Sequence, residues 1–157
     1  HEMVGYNLRF NELQAAVGRV GLRHLDRLNA HRRAVAARYT ERLAGLLTTP
    51  PERSWAKAVY HMYVIRTPRR DALARFLQER GISTGIHYPV ANHQQPAVTD
   101  LFKDLPQLPR TELAVGEILS LPIYPGLSED QQDYLVARLA IAVSSTTADA
   151  GQVTASR

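Results

Sequence analysis

The chain has 157 residues, 45% of them apolar and 22% charged, with nine glycines and nine prolines. That is enough apolar material for one folded domain and a poor fit to disordered, collagen-like or low-complexity sequence. Of its 19 basic residues 17 are arginines and only Lys57 and Lys103 are lysines, which leaves few side chains for imine chemistry, and the net charge is +4.

The absence of cysteine excludes disulfides, thiolate metal sites, iron–sulfur clusters and a cysteine nucleophile, and it fits a cytoplasmic setting. No apolar run approaches the roughly 20 residues that cross a bilayer. The opening His1-Glu2-Met3-Val4-Gly5-Tyr6 is not a signal peptide, so no membrane partner is expected.

Over residues 11–46, Leu13, Val17, Val20, Leu25, Leu28, Val35, Tyr39, Leu43 and Leu46 recur at helical spacing. They predict one long helix, or two with a bend near Asn29, stopped by Thr48-Thr49-Pro50-Pro51. Residues 58–66 predict a strand with Val59, His61, Tyr63 and Ile65 on one face. A helix follows, with Thr67 as N-cap, Pro68 at its first position, Leu73, Phe76 and Leu77 on its apolar face and Gly81 in a left-handed cap. Residues 82–88 predict a short strand running into a proline-bounded loop through Pro96. Residues 110–118 predict a helix and 120–124 an extended segment closed by Pro125-Gly126. Ser128 and Gln131 form an S-x-x-Q capping box that opens an amphipathic helix to Val143, and the small, polar residues 144–157 are expected to be a disordered tail. The order predicts a small sheet covered by helices, of α/β or α+β class, without internal repeats.

Three groups of residues have the chemistry of a site. His87 and His93 lie six apart with no acid between them, which is not metal-ligand spacing. On spacing alone they read first as loop residues bonding locally. The proline brackets and the His, Asn and Gln content of residues 87–96 also suit ligand contact. Asn7 and Arg9 stand before the first helix, where an amide and a guanidinium can hold a phosphate or carboxylate, or else make a local turn and a solvated charge. Arg19, Arg23 and Arg27 fall on one helical stripe in the basic stretch 19–42. No nucleic-acid-binding module accompanies them, so a solvated face is the simpler account. Tyr60, Tyr63 and Tyr88 suit core positions better than a stacking platform. No P-loop, dinucleotide fingerprint or nucleophile elbow is present.

Several segments together resemble one family. Gly5-Tyr6-Asn7-Leu8-Arg9-Phe10-Asn11-Glu12-Leu13-Gln14-Ala15-Ala16 resembles the G-x-N-x-R-[hydrophobic]-[DNS]-E-L-Q-A-A signature of the DegT/DnrJ/StrS pyridoxal-phosphate-dependent sugar aminotransferases. His31-Arg32-Arg33 with Ala37-Arg38-Tyr39, then Tyr60-His61-Met62-Tyr63-Val64-Ile65-Arg66, then Arg70-Asp71-Ala72-Leu73 through Arg80-Gly81-Ile82, continue the match in order. So do Gly85-Ile86-His87-Tyr88-Pro89 with His93, Gln95 and Pro96, and Leu119-Ser120-Leu121-Pro122.

The resemblance spans residues 3–143. It implies the small C-terminal domain of an aspartate-aminotransferase-like, pyridoxal-phosphate-dependent transferase over residues 1–143: a long first helix and a small, mostly antiparallel sheet covered by helices. Members move an amino group, usually from glutamate, to a keto-sugar nucleotide or related cyclic ketone. The imine-forming lysine sits in their large N-terminal domain, which this sequence lacks, and neither Lys57 nor Lys103 matches it. The isolated chain is therefore expected to be inactive, with no catalytic residue of its own, and to derive from a longer homodimeric enzyme. By the same resemblance Asn7 reaches the cofactor phosphate of the neighbouring subunit, Arg9 lines that shared site, and His87, Tyr88 and His93 meet the substrate. No metal and no nucleic acid is implied. Ala91-Asn92 and Val98 depart from the family pattern and leave the substrate open. A non-catalytic dimerisation or binding module derived from the family is the alternative.

Overall fold

The computed structural model describes residues 11–102 and 104–152, with side chains through Ser144. The order is α1 (Glu12–Leu22), α2 (Leu25–Arg42), β1 (Tyr63–Arg66), α3 (Arg70–Gln78), a 3-10 turn (Asn92–Gln94), α4 (Pro96–Thr99), α5 (Pro109–Glu117), β2 (Ile118–Leu121) and α6 (Glu129–Gln152).

Asn11 caps α1 in a reciprocal box: its side chain accepts from Gln14 N at 2.9 Å and its own N–H donates to Gln14 Oε1 at 3.0 Å. The first helical stretch breaks at Arg23-His24, not at Asn29. There the N–H groups turn tightly onto Val20 O and Gly21 O, at 3.2 and 3.0 Å, beside a glycine that gives the helix little support. The break falls inside the Arg19, Arg23, Arg27 series, all three of which are exposed and divided between the end of α1, the break and the start of α2.

β1 pairs antiparallel with β2 in the register Tyr63 to Leu121, Val64 to Ser120, Ile65 to Leu119 and Arg66 to Ile118. Single bridges extend this ribbon on both sides, Thr48 to Arg66 and Gly85 to Ser120. The predicted strand over 58–66 survives only in its second half. Tyr60 takes φ 48°, and Glu52 gathers Ala58 N at 2.8 Å, Tyr60 OH at 3.0 Å and Arg33 Nη1 at 2.8 Å. That clasp holds residues 52–60 as a loop and leaves Val59 and His61 exposed, whereas Tyr63 and Ile65 are fully buried. The strand expected over 82–88 is reduced to the bridge at Gly85.

The core joins α2 (Val35, Ala36, Tyr39), Leu43, β1, α3 (Leu73, Leu77), β2 and α6 (Leu135, Val136, Leu139). The spacings 35, 39, 43 and 135, 139 are the one-face repeats that bury a helix stripe. Tyr39 and Tyr63 meet edge to face at 5.2 Å. Their hydroxyls are satisfied, Tyr39 donating to Pro122 O at 3.1 Å and Tyr63 pairing with Thr40 Oγ1 at 2.8 Å. Burial pushes the Tyr39 phenol above its ordinary range.

α3 starts at Arg70, two residues later than Thr67-Pro68 predicts, with Arg69 N donating to Thr67 Oγ1 at 3.3 Å. It ends as expected at Gly81, φ 74°. Ile82 N donates to Leu77 O and Gly81 N to Gln78 O, both at 3.0 Å, which closes a Schellman motif that also buries Ile82 against Leu77. Before α6, Gln131 N donates to Ser128 Oγ at 3.2 Å and Ser128 N to Gln131 Oε1 at 3.0 Å. The helix continues to Gln152, past Val143, because nothing from Ser144 to Gln152 interrupts the backbone ladder; the irregular tail expected from Ser144 is helical that far. Arg38 ties α2 to α6 through Glu129 at 2.9 Å and Asp133 at 2.8 Å, and Arg42 also reaches Asp133.

The hydrogen bond from Arg33, with those from Ala58 N and Tyr60, lowers the Glu52 carboxyl from 4.5 to about 2. A folded-state value below the unfolded one adds stability above pH 4.5, lost as pH falls toward about 2. Over that window the unfolding midpoint of the wild type should fall further than that of Glu52→Gln. Parallel losses in acid denaturation would show that the clasp does not couple to folding.

Candidate functional site

The candidate site is the loop between Gly85 and Pro96, held by the continuous segment that carries α5 into β2. β2 fixes its start. Gly85 and Ser120 exchange backbone hydrogen bonds, Gly85 N to Ser120 O at 3.1 Å and Ser120 N to Gly85 O at 2.7 Å. Beside them His87 Nδ1 lies 2.9 Å from Ser120 Oγ. The imidazole folds back over Gly85, where an added Cβ would meet His87 Cε1 at 2.6 Å. Only glycine lets the ring lie there.

α5 fixes the far end of the loop. His93 Nε2 lies 3.0 Å from Glu112 Oε1, which also accepts from Leu108 N at 3.1 Å. The hydrogen bond from His93, and secondarily that from Leu108 N, holds the Glu112 carboxyl below its usual range. Between the two histidines Ala91 is buried, and Gln95, just past His93, donates from Nε2 back to Val90 O at 3.2 Å, so the loop folds on itself as well as on its neighbours.

The end of α5 is itself anchored. Arg70 Nη1 donates to Val115 O at 2.7 Å, Thr67 N to Glu117 O at 3.0 Å, and Arg66 Nη2 to Glu117 Oε2 at 2.6 Å. The first two satisfy helix-end carbonyls, the third is an ion pair, and together they fasten the segment to the end of β1 and to α3.

His87 and Tyr88 come together, ring centroids 5.6 Å apart and edge to face, and both are exposed. His93 is half-buried and sits apart on Glu112, beside a cavity of about 410 Å³ lined also by Phe102, Leu105 and Gln107. Each histidine thus has one ring nitrogen engaged, Nδ1 in His87 and Nε2 in His93, and turns the other edge away from its anchor. Two anchored imidazoles and a phenol suit oxygen-rich ligands such as carboxylates, hydroxyls and phosphates. Asn7 and Arg9 lie outside the described residues. No group of three metal-ligating side chains occurs among the described residues.

Sequence reasoning missed Ser120, Glu112 and Gly85 as supports. Ser120 and Gly85 stood inside quoted motifs without a role, and Glu112 carried no local signal, because its partner is 19 residues away.

The fold has known counterparts. Residues 1–140 match the DegT/DnrJ/EryC1/StrS aminotransferase family. A "Pleiotropic regulatory protein" of Geobacillus stearothermophilus is 44% identical over 144 residues, 89% of this chain and 39% of that protein. The dTDP-3-amino-3,4,6-trideoxy-alpha-D-glucose transaminase of Streptomyces venezuelae is 44% identical over 133 residues, 83% of this chain and 35% of that protein. The crystal structure of S. venezuelae DesV in complex with a ketimine intermediate superposes with a TM-score of 0.81 at 40% identity, over 91% of this chain and 39% of that one.

The chain therefore belongs to the DegT/DnrJ/EryC1/StrS aminotransferase family, and it spans well under half the length of these relatives. The family depends on pyridoxal phosphate, and the similar solved structures include one with bound cofactor PMP. The candidate loop, residues 85–96, contains no lysine to hold that group as an imine. Lys57 is exposed in the loop before β1, and Lys103 lies outside the described residues. No helix of the described residues is long and apolar enough to cross a membrane.

Proposed function

We propose that this chain is the C-terminal portion of a cytoplasmic, homodimeric, pyridoxal-phosphate-dependent aminotransferase that passes an amino group from glutamate to a keto-sugar nucleotide or related cyclic ketone. Residues 1–143 form its small domain. The large domain, with the imine-forming lysine, comes from chain outside these 157 residues, and the isolated chain is inactive for want of that lysine. Asn7 reaches the cofactor phosphate across the dimer and Arg9 lines the shared site. His87, Tyr88 and His93 face the substrate.

The observation that carries this reading is the clamped loop: Ser120 and Glu112 hold His87 and His93 in place, and the His87 ring, bound at Nδ1 alone, is exposed to a ligand. A nucleotide-sugar acceptor is supported by the name of the Streptomyces venezuelae transaminase. The stripe Leu13, Val17, Val20 on α1, exposed at 76, 66 and 55%, is the apolar surface that a domain docked against a larger body leaves bare when seen by itself.

The test is the donor half-reaction of the complete protein. Glutamate should convert the bound cofactor from its aldehyde to its amine form, read by absorbance, and the 157-residue chain alone should convert none. An unmoved spectrum in a cofactor-loaded complete protein would favour a binding module. Asn7→Ala in the complete protein should weaken cofactor retention while leaving the unfolding midpoint nearly unchanged. Equal cofactor affinity would remove Asn7 from the phosphate.

A further inference from the structure

The hydrogen-bond bookkeeping around Ser120 determines which nitrogen of His87 carries the proton. Ser120 is 6% exposed. Its backbone N–H and C=O are spent on Gly85. Among the described residues its hydroxyl has one partner, His87 Nδ1 at 2.9 Å. A hydroxyl has one hydrogen to donate, and a buried donor left unpaired is penalised by its desolvation. Were Oγ to accept from an Nδ1–H, the hydroxyl hydrogen would have no acceptor. If Oγ–H donates to Nδ1, the buried hydroxyl is satisfied and the ring proton sits on Nε2, the exposed ring's edge with no partner among the described residues. The exposed imidazole supplies one wall of this arrangement and the glycine beneath it the other, because the ring reaches Ser120 only by lying where a Cβ at residue 85 would be.

We propose that Ser120 is a positioning residue: its hydroxyl donates to His87 Nδ1, holds the neutral imidazole as the Nε2–H tautomer, and makes His87 a fixed hydrogen-bond donor toward a ligand oxygen, with Gly85 as the seat that admits the ring. Offered to a substrate, this Nε2–H pairs with a hydroxyl, carboxylate or phosphate oxygen. In this state His87 is a donor and not a proton-accepting base. That the ligand is the aminotransferase's substrate rests on the reading above; the tautomer does not.

The experiment is nitrogen-15 NMR of the histidine side chains in the 157-residue chain, at a pH where His87 is neutral. In the wild type His87 Nδ1 should resonate as an unprotonated ring nitrogen and Nε2 as a protonated one. Ser120→Ala should reduce the bias toward Nε2–H by about tenfold, the effect of one lost hydrogen bond. Ser120→Thr, which keeps the hydroxyl, should restore it. Gly85→Ala leaves Ser120 in place but displaces the ring, and should lose the bias as Ser120→Ala does; it serves if Ser120→Ala does not fold. A protonated Nδ1 in the wild type, or a tautomer ratio unmoved by Ser120→Ala or Gly85→Ala, would overturn the proposal. The readout needs no substrate or cofactor. If the tautomer is as stated and His87 variants of the complete enzyme turn over normally, His87 is removed from the substrate contact and the Ser120–His87 pairing stands.

Discussion

His87→Ala in the complete enzyme is expected to lower kcat/KM by about ten- to a hundredfold, the effect of removing one hydrogen bond to a charged or strongly polar ligand group. The imidazole is exposed, contributes nothing to the apolar core, and is held by β2 at a single ring nitrogen. Its removal should therefore leave the unfolding midpoint close to that of the wild type, so lost turnover reports lost ligand contact. Measuring the two half-reactions separately identifies that ligand. A deficit confined to the keto acceptor places His87 against the nucleotide sugar, and one confined to glutamate places it against the donor's carboxylate. Unchanged kinetics in both would take His87 out of the site.

The largest effect on stability is expected at Leu77. It is fully buried where α3, the sheet and α6 meet, and its carbonyl receives Ile82 N in the turn that ends α3. Leu77→Ala should destabilise the chain by about 2–5 kcal/mol, because the transfer term and the cavity left behind add. Leu113→Ala on α5, 58% exposed, should change stability by less than about 0.5 kcal/mol. Chemical denaturation of both variants checks this. Equal losses would mean that the packing around Leu77 does not form the core.

Local chemistry explains which elements were legible in the sequence. The capping box at Ser128 and Gln131 and the glycine stop at Gly81 are written within a few residues, and both appear as expected. The strand over 58–66 was overextended because its alternation of apolar residues is genuine while its fate is set by Arg33 and Glu52. These lie outside the segment and pull its first half into a clasp. Likewise the apolar pattern runs unbroken past Arg23-His24, where the helix stops, since periodicity records which residues face one way and not where hydrogen bonds tighten.

The loop of the candidate site was legible by composition and by resemblance, but its supports were not. Ser120 and Glu112 act across 33 and 19 residues of chain, and no local spacing encodes such a pairing. Once the strands are in register the logic is plain: Val64 opposite Ser120 sets β2, Ser120 sets Gly85, and Gly85 makes room for the His87 ring.

The most direct measurement follows the amino nitrogen itself. The complete protein, loaded with pyridoxal phosphate, is given nitrogen-15 glutamate and a keto-sugar nucleotide, and the products are read by mass spectrometry. The account predicts a labelled amino-sugar nucleotide and unlabelled 2-oxoglutarate. Cofactor bound and no label transferred to any keto-sugar or cyclic ketone acceptor would contradict it, and would leave this chain as part of a binding module built on an aminotransferase fold.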